Sequence, residues 1–118
     1  STLSQAQAAN GMADAANATM QKAMAHPSAT AVDLHMYARG LQAQKKTDEA
    51  VAVYLLNAKK HPGQWPVDVG LARAYSAQGK LKEALAAAKK ALAQAPDDVN
   101  RKGLQSMIEK LSAGRPID

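Results

Sequence analysis

The sequence predicts an all-α fold, a right-handed stack of helix-turn-helix hairpins with five to six helices and a C-terminal solvating helix. Three observations carry that expectation. Apolar residues recur at three-to-four spacing along most of the chain, the mark of a helix face that must be buried. No segment alternates with period two over a useful length, and no Asn-Gly turn separates β-branched runs. Finally, the chain repeats itself at a shift of 34 residues, which places Ala38 on Ala72 and Pro62 on Pro96.

Taken in order, residues 3–25 are Ala-rich, with Leu3, Ala6, Ala13, Ala16, Met20, Ala23 and Met24 able to share one stripe. Gly11 interrupts this run, so either one helix passes through it or two shorter ones meet there. Pro27 ends the segment. Thr30 is the expected N-cap of a helix over roughly 31–44 with Leu34, Tyr37, Ala38 and Leu41 on its buried side. After a turn at Gln44-Lys45-Lys46, Thr47 is expected to cap a helix through about Lys60 that buries Ala50, Val51, Val53, Tyr54 and Ala58. Pro62-Gly63 terminates it.

The stretch Trp65–Pro96 reads as a hairpin folded across Ala77-Gln78-Gly79-Lys80. Pro66 sits in the first turn, where its missing N–H costs nothing. Val69, Leu71, Ala72 and Tyr75 face Leu81, Ala84, Leu85, Ala88, Ala91 and Leu92. Small residues at Ala72, Ala84 and Ala91 let the backbones approach closely, and Tyr75 fills the wider gap. Asp97 or Asp98 caps a last helix through about Leu111 with a stripe of Leu104, Met107, Ile108 and Leu111. Gly114, Arg115 and Pro116 are expected to form a frayed polar tail.

Composition bounds the rest. A chain of 118 residues is one domain's worth, large enough to bury a core without staples. With no Cys and no Phe, one Trp and three Tyr, the core is built from small side chains and close helix contacts, without disulfides or Cys-based metal sites. No apolar run approaches the roughly 18 residues needed to cross a bilayer, so no membrane insertion is expected. The first residues carry no signal-peptide pattern, as expected of a mature or trimmed form. Net charge is +5 and the pI about 9.6, with cations interleaved among Asp48, Glu49, Glu83, Asp97 and Asp98 as on solvated helix faces. Lys89-Lys90 and Arg101-Lys102 offer a convex basic edge, but little aromatic interleaving supports base stacking, so the pattern does not favour nucleic acid.

Further coincidences at the shift of 34 are Leu41 on Tyr75, Gln44 on Gln78, and Glu49-Ala50 on Glu83-Ala84. On these residues the chain resembles the tetratricopeptide repeat (TPR) family. The family's large-small-large pattern of the first helix resembles Tyr37, Ala38, Leu41 and then Leu71, Ala72, Tyr75. Its small-bulky-small-Pro pattern of the second helix resembles Ala50, Tyr54, Asn57, Pro62 and then Ala84, Ala88, Ala91, Pro96. Asn57 replaces a small residue, Ala88 replaces a bulky one, and Trp65 stands at the start of the first helix instead of inside it. The resemblance implies a single domain over 1–118: an N-terminal helix or degenerate repeat in 1–30, repeat one in 31–64, repeat two in 65–98, a capping helix in 99–113 and a tail in 114–118. The run from His61 to Gly114 also resembles the C-terminal helical tail of a bacterial exported protein family of unknown function, which implies an exported location and a β-rich domain upstream.

In TPR arrays the first helices line a concave groove for peptides or partner segments. Carried onto this chain, the pattern puts His35, Arg39 and Gln42 on the groove from repeat one, and Val69, Arg73 and Ser76 from repeat two. Arg39 and Arg73 lie 34 apart and are expected side by side, suited to bidentate capture of carboxylates. The partner is therefore expected to be a protein or peptide segment, acidic in character. The Lys and Asn positions that grip a terminal carboxylate in chaperone-binding members are not reproduced, since His35 and Arg39 stand there. With only two full repeats, a homodimer or the N-terminal helix is expected to supply missing cover. No cofactor, metal or catalytic residue is expected. His26, His35 and His61 lack ligand partners at helical spacing, and no phosphate loop, nucleophile elbow or paired carboxylates occur.

Overall fold

The computed structural model describes residues 29–117, and the expectations for the N-terminal segment, Gly11 and His26 fall outside them. Among the described residues there are five α-helices and no strand: α1 (Ala31–Ala43), α2 (Thr47–Lys60), α3 (Trp65–Ala77), α4 (Leu81–Ala93) and α5 (Asp98–Ser112). Consecutive helices pack on one another, and α1 also meets α3, so α1/α2 and α3/α4 form two stacked hairpins with α5 laid against the second. The fold is the all-α helical-repeat stack that the sequence predicts.

The boundaries follow from local chemistry. Thr30 opens α1 with a capping box: its Oγ1 accepts from the Asp33 amide at 3.1 Å, while the Thr30 amide donates to Asp33 Oδ2 at 3.0 Å. That hydrogen bonding holds the Asp33 carboxyl below the usual range. Asp97 caps α5, its side chain accepting from the Asn100 amide at 2.8 Å. Thr47 does not cap α2. It is the first helical residue, and Lys46 at the cap position offers no side-chain bond. Asp48, Glu49 and Glu83 sit in first turns, where they complement the helix dipole.

Helices α1, α3 and α5 end in the same way. The Lys46, Lys80 and Arg115 amides reach back to Leu41, Tyr75 and Lys110 carbonyls at 2.9, 2.8 and 2.9 Å. The preceding residues Lys45, Gly79 and Gly114 have φ of 64°, 76° and 75°. These are three Schellman closures, and the repeat is therefore written in the turns as well as in the helices. Lys45 adopts without glycine's freedom the conformation that Gly79 supplies one repeat later.

The core divides in three. Leu34, Ala38, Leu41, Ala50, Val53, Tyr54, Leu56 and Ala74 fill the first hairpin and its junction with α3. Ala72, Ala84, Ala87, Ala88, Leu111 and Ile117 fill the second. Val69, Ala91 and Leu104 tie α3, α4 and α5 together. Tyr37, expected on the buried side of α1, is 38% exposed because it lies at the edge of the Leu34–Ala38–Leu41 stripe. The frayed tail is corrected too, since Ile117 is buried and hydrogen-bonded to α3.

Candidate functional site

Helices α1, α3 and α5 enclose a groove of about 500 Å³. Its lining comes from Arg39, Gln42 and Ala43 of α1, Lys45 of the following turn, Arg73 of α3, Gly103, Ser106, Met107 and Lys110 of α5, and Ile117 beyond α5. Each helix contributes at the same phase, for Arg39, Arg73 and Met107 are successive 34-residue equivalents, as are Gln42, Ser76 and Lys110. Four of the lining side chains are cations and none is a carboxylate. A wall of one sign on low-dielectric helices focuses the field into the concavity and attracts anionic groups.

Of the six residues singled out in the sequence, Arg39, Gln42 and Arg73 line this groove together. His35 lies behind it. Its ring sits 5.7 Å from that of Tyr54, and Nδ1 is buried without a hydrogen-bond partner. Burial first, and the Arg73 and Arg39 charges second, push its pKa down to about 4, so the imidazole is neutral at physiological pH. The Tyr54 hydroxyl donates to Gln42 Oε1, which fixes the Gln42 amide at the wall. Burial pushes the Tyr54 phenol up, against the opposing pull of Arg73 and Arg39.

Val69 does not line the groove. It is buried and packs with Ala91 and Leu104. Ser76 is also buried, and both polar directions of its hydroxyl go to one residue: Oγ accepts from the Ile117 amide at 2.8 Å and donates to the Ile117 carbonyl at 3.0 Å. Gly103, Met107 and Lys110 were missed in the sequence, although the 34-residue phase that places Ser106 opposite Ala38 and Ala72 also places them opposite His35, Arg39 and Gln42. The signal was present and needed carrying one helix further. No such signal announces the return of Ile117, because it lies beyond the last periodic position.

Away from the groove, Asp68 is buried on α3. Gln94 Nε2 donates to Oδ2 at 3.4 Å, and the Lys90 ammonium stands 3.9 Å from Oδ1. Burial raises its pKa, against the Lys90 charge and the Gln94 bond. Among the described residues no cluster of three His, Cys, Asp or Glu could hold a metal ion, and no helix is long and apolar enough to cross a membrane.

The repeat phase, the three matching turns and the shared groove all point one way, and a family model for the tetratricopeptide repeat matches residues 43–108, more than half of the chain. The chain belongs to the tetratricopeptide repeat family. No curated protein and no solved structure matches it significantly. Membership makes it a helical-repeat protein of the kind that serves as a scaffold for protein–protein interaction. The groove is lined by the first helix of each hairpin and by α5.

Proposed function

We propose that this TPR domain is a non-enzymatic scaffold that binds an extended, acidic segment of a partner protein along its concave groove. One observation carries the reading: Arg39, Lys45, Arg73 and Lys110 share a lining that includes no carboxylate. Guanidiniums at Arg39 and Arg73 offer planar, two-pronged donors to carboxylates, and Lys45 and Lys110 add point charges. Charge-assisted hydrogen bonds of this kind are each worth about 1.5–3 kcal/mol.

The test is fluorescence anisotropy with a labelled acidic peptide. Arg39→Glu combined with Arg73→Glu is expected to weaken binding at least about 100-fold, since two charge-assisted contacts become repulsions. Binding unchanged by this double reversal would rule the groove out. Met107, on the same wall, supplies an adaptable apolar contact.

An assembly role is the second reading, favoured by apolar side chains left uncovered on the first hairpin. Val32, Met36 and Leu55 are 55, 62 and 40% exposed. Sedimentation of the full chain over a wide concentration range tests it. A dimer weakened by Met36→Glu supports self-association through α1, and a monomer throughout removes it.

A further inference from the structure

The residues after α5 return to the groove instead of leaving the domain. Gly114, at φ 75°, turns the chain, and Ile117 is bound at the buried Ser76 hydroxyl through both its amide and its carbonyl. Such a contact reads main chain alone: any residue presenting N–H and C=O in this manner satisfies it, whatever its side chain. Ser76 stands one turn beyond Arg73 on α3 but is buried beneath the returning segment, and it is Ile117 that lines the groove in its place. The Ile117 side chain joins the small-residue cluster of Ala72, Ala84, Ala88 and Leu111. An anchored main chain plus one seated aliphatic side chain is how an extended peptide is held.

The occupant brings the seat no net negative charge, since Asp118, next after Ile117 in the sequence, only balances Arg115. Arg115 lies two residues before Ile117, which lines a groove that also holds Arg39, Lys45, Arg73 and Lys110. Arg115 is exposed and has no ion pair among the described residues. The segment is therefore held by shape and main-chain hydrogen bonding, helped by the short tether from α5 that keeps its effective concentration high. A separate segment with the same extended main chain, an aliphatic residue at the Ser76 position and an excess of carboxylates would complement the groove's four cations better.

We infer that residues 115–117 are a tethered, displaceable occupant of the concave groove, and that an acidic partner segment with an aliphatic residue must expel Ile117 from Ser76 to bind fully. The inference rests on the acidic-partner reading above. Ser76 is then a main-chain receptor for whichever segment is seated, and the tether sets a threshold that a partner has to exceed. Occupancy of the seat by Ile117 lowers the apparent affinity in proportion to the unoccupied fraction.

The probe is a fluorescein-labelled peptide, Asp-Glu-Pro-Ile-Asp-Glu, titrated into the full chain and its variants. Ile117→Ser removes the aliphatic anchor, and we expect it to tighten probe binding about ten-fold or more while the amide of residue 117 loses its hydrogen-exchange protection. Ser76→Ala is expected to lose the same protection without the gain in affinity, because the partner loses its receptor too. If Ile117→Ser stays helical yet binds the probe no tighter than the parent, the segment is a fixed part of the fold and the inference is overturned. Should that variant lose helicity, the unaltered chain decides. Saturating probe is expected to deprotect the Ile117 amide, and retained protection with probe bound overturns displacement. Probe binding that depends on Arg39 and Arg73 but leaves Ile117 seated defeats this inference alone. Absence of binding to every form defeats the acidic-partner reading along with it.

Discussion

The two junctions between helix pairs, α2 against α3 and α4 against α5, solve the same packing problem with opposite residues. At the first, Tyr54 of α2 is fully buried and Gly70 of α3 makes room: a Cβ built on Gly70 would stand 2.7 Å from Tyr54 Cδ1. Thirty-four residues on, the equivalents are Ala88 and Leu104, both buried, so the bulk has moved from the outer helix to the inner one. The departure of Ala88 from the family's bulky preference is therefore matched by a large residue where the first junction has none. What the repeat preserves is the volume between helices, and the residue supplying it is free to change sides.

The exchange has a polar consequence. Tyr54 brings a hydroxyl, satisfied by Gln42, and stacks near His35, so the first junction is aromatic and titratable. Asn57 belongs to the same region. It is buried where the family prefers a small residue, and its Nδ2 donates to the Ala31 carbonyl at 2.9 Å, fastening α2 to the start of α1. The second junction is built from alanines, leucines and the returning Ile117. Both hydrogen bonds join α2 to α1, so the first hairpin is fastened by polar contacts, whereas the second is held by close contact and by the segment returning to Ser76 on α3.

Breaking the first junction gives the largest effect. Tyr54→Ala leaves a cavity facing Gly70 and is expected to cost about 3–5 kcal/mol in denaturant unfolding. The equivalent overpacking change, Ala88→Leu, is expected to cost less, about 1–3 kcal/mol. Equal costs at the two positions would mean that the exchange of bulk is not what distinguishes the junctions.

Acid separates them next. His35 titrates at about 4 in the folded chain against 6.5 for the free group. Between those values the unfolded chain binds more protons, so stability is full above about pH 6.5 and falls as pH drops toward 4. The shift bounds the loss at about 3 kcal/mol. His35→Gln is expected to flatten this part of the stability–pH profile, and a profile as steep as the parent's would refute the assignment. Val69, the residue equivalent to His35 at the second junction, has nothing to titrate.

Glycine gives the smallest effect and the sharpest contrast. Gly70→Ala gains up to about 1 kcal/mol of helix propensity but forces Tyr54 aside, with a net loss of about 1 kcal/mol expected. Gly40→Ala, with nothing within 4 Å of its Cβ, is expected to gain about 0.5–1 kcal/mol. In a Tyr54→Ala background Gly70→Ala is expected to turn stabilising, a sign change that a thermal-melt double-mutant cycle reads directly.

Much of this was legible in the sequence because it is periodic. The 34-residue shift located both hairpins and the close alanine contacts, and it set Arg39 and Arg73 on one lining, since each depends on helical spacing repeated in register. Thr30 and Asp97 were readable as caps from chemistry that acts over three residues. The failures are those of local reasoning. Thr47 has the right side chain one position too late. Val69 and Ser76 share a face with Arg73 in projection, but α5 and the returning segment cover them. Ile117 was invisible, because a single aliphatic residue in a polar tail gains meaning only when the fold sets Ser76 opposite it.

The most direct test is a backbone amide titration of the isotope-labelled full chain with the acidic, isoleucine-containing peptide. The account predicts shifts along Arg39, Arg73, Met107 and Lys110 on the three inner helices, with release of the Ile117 amide. Shifts confined to the outer helices α2 and α4, or an acidic peptide that moves nothing in the groove, would contradict it.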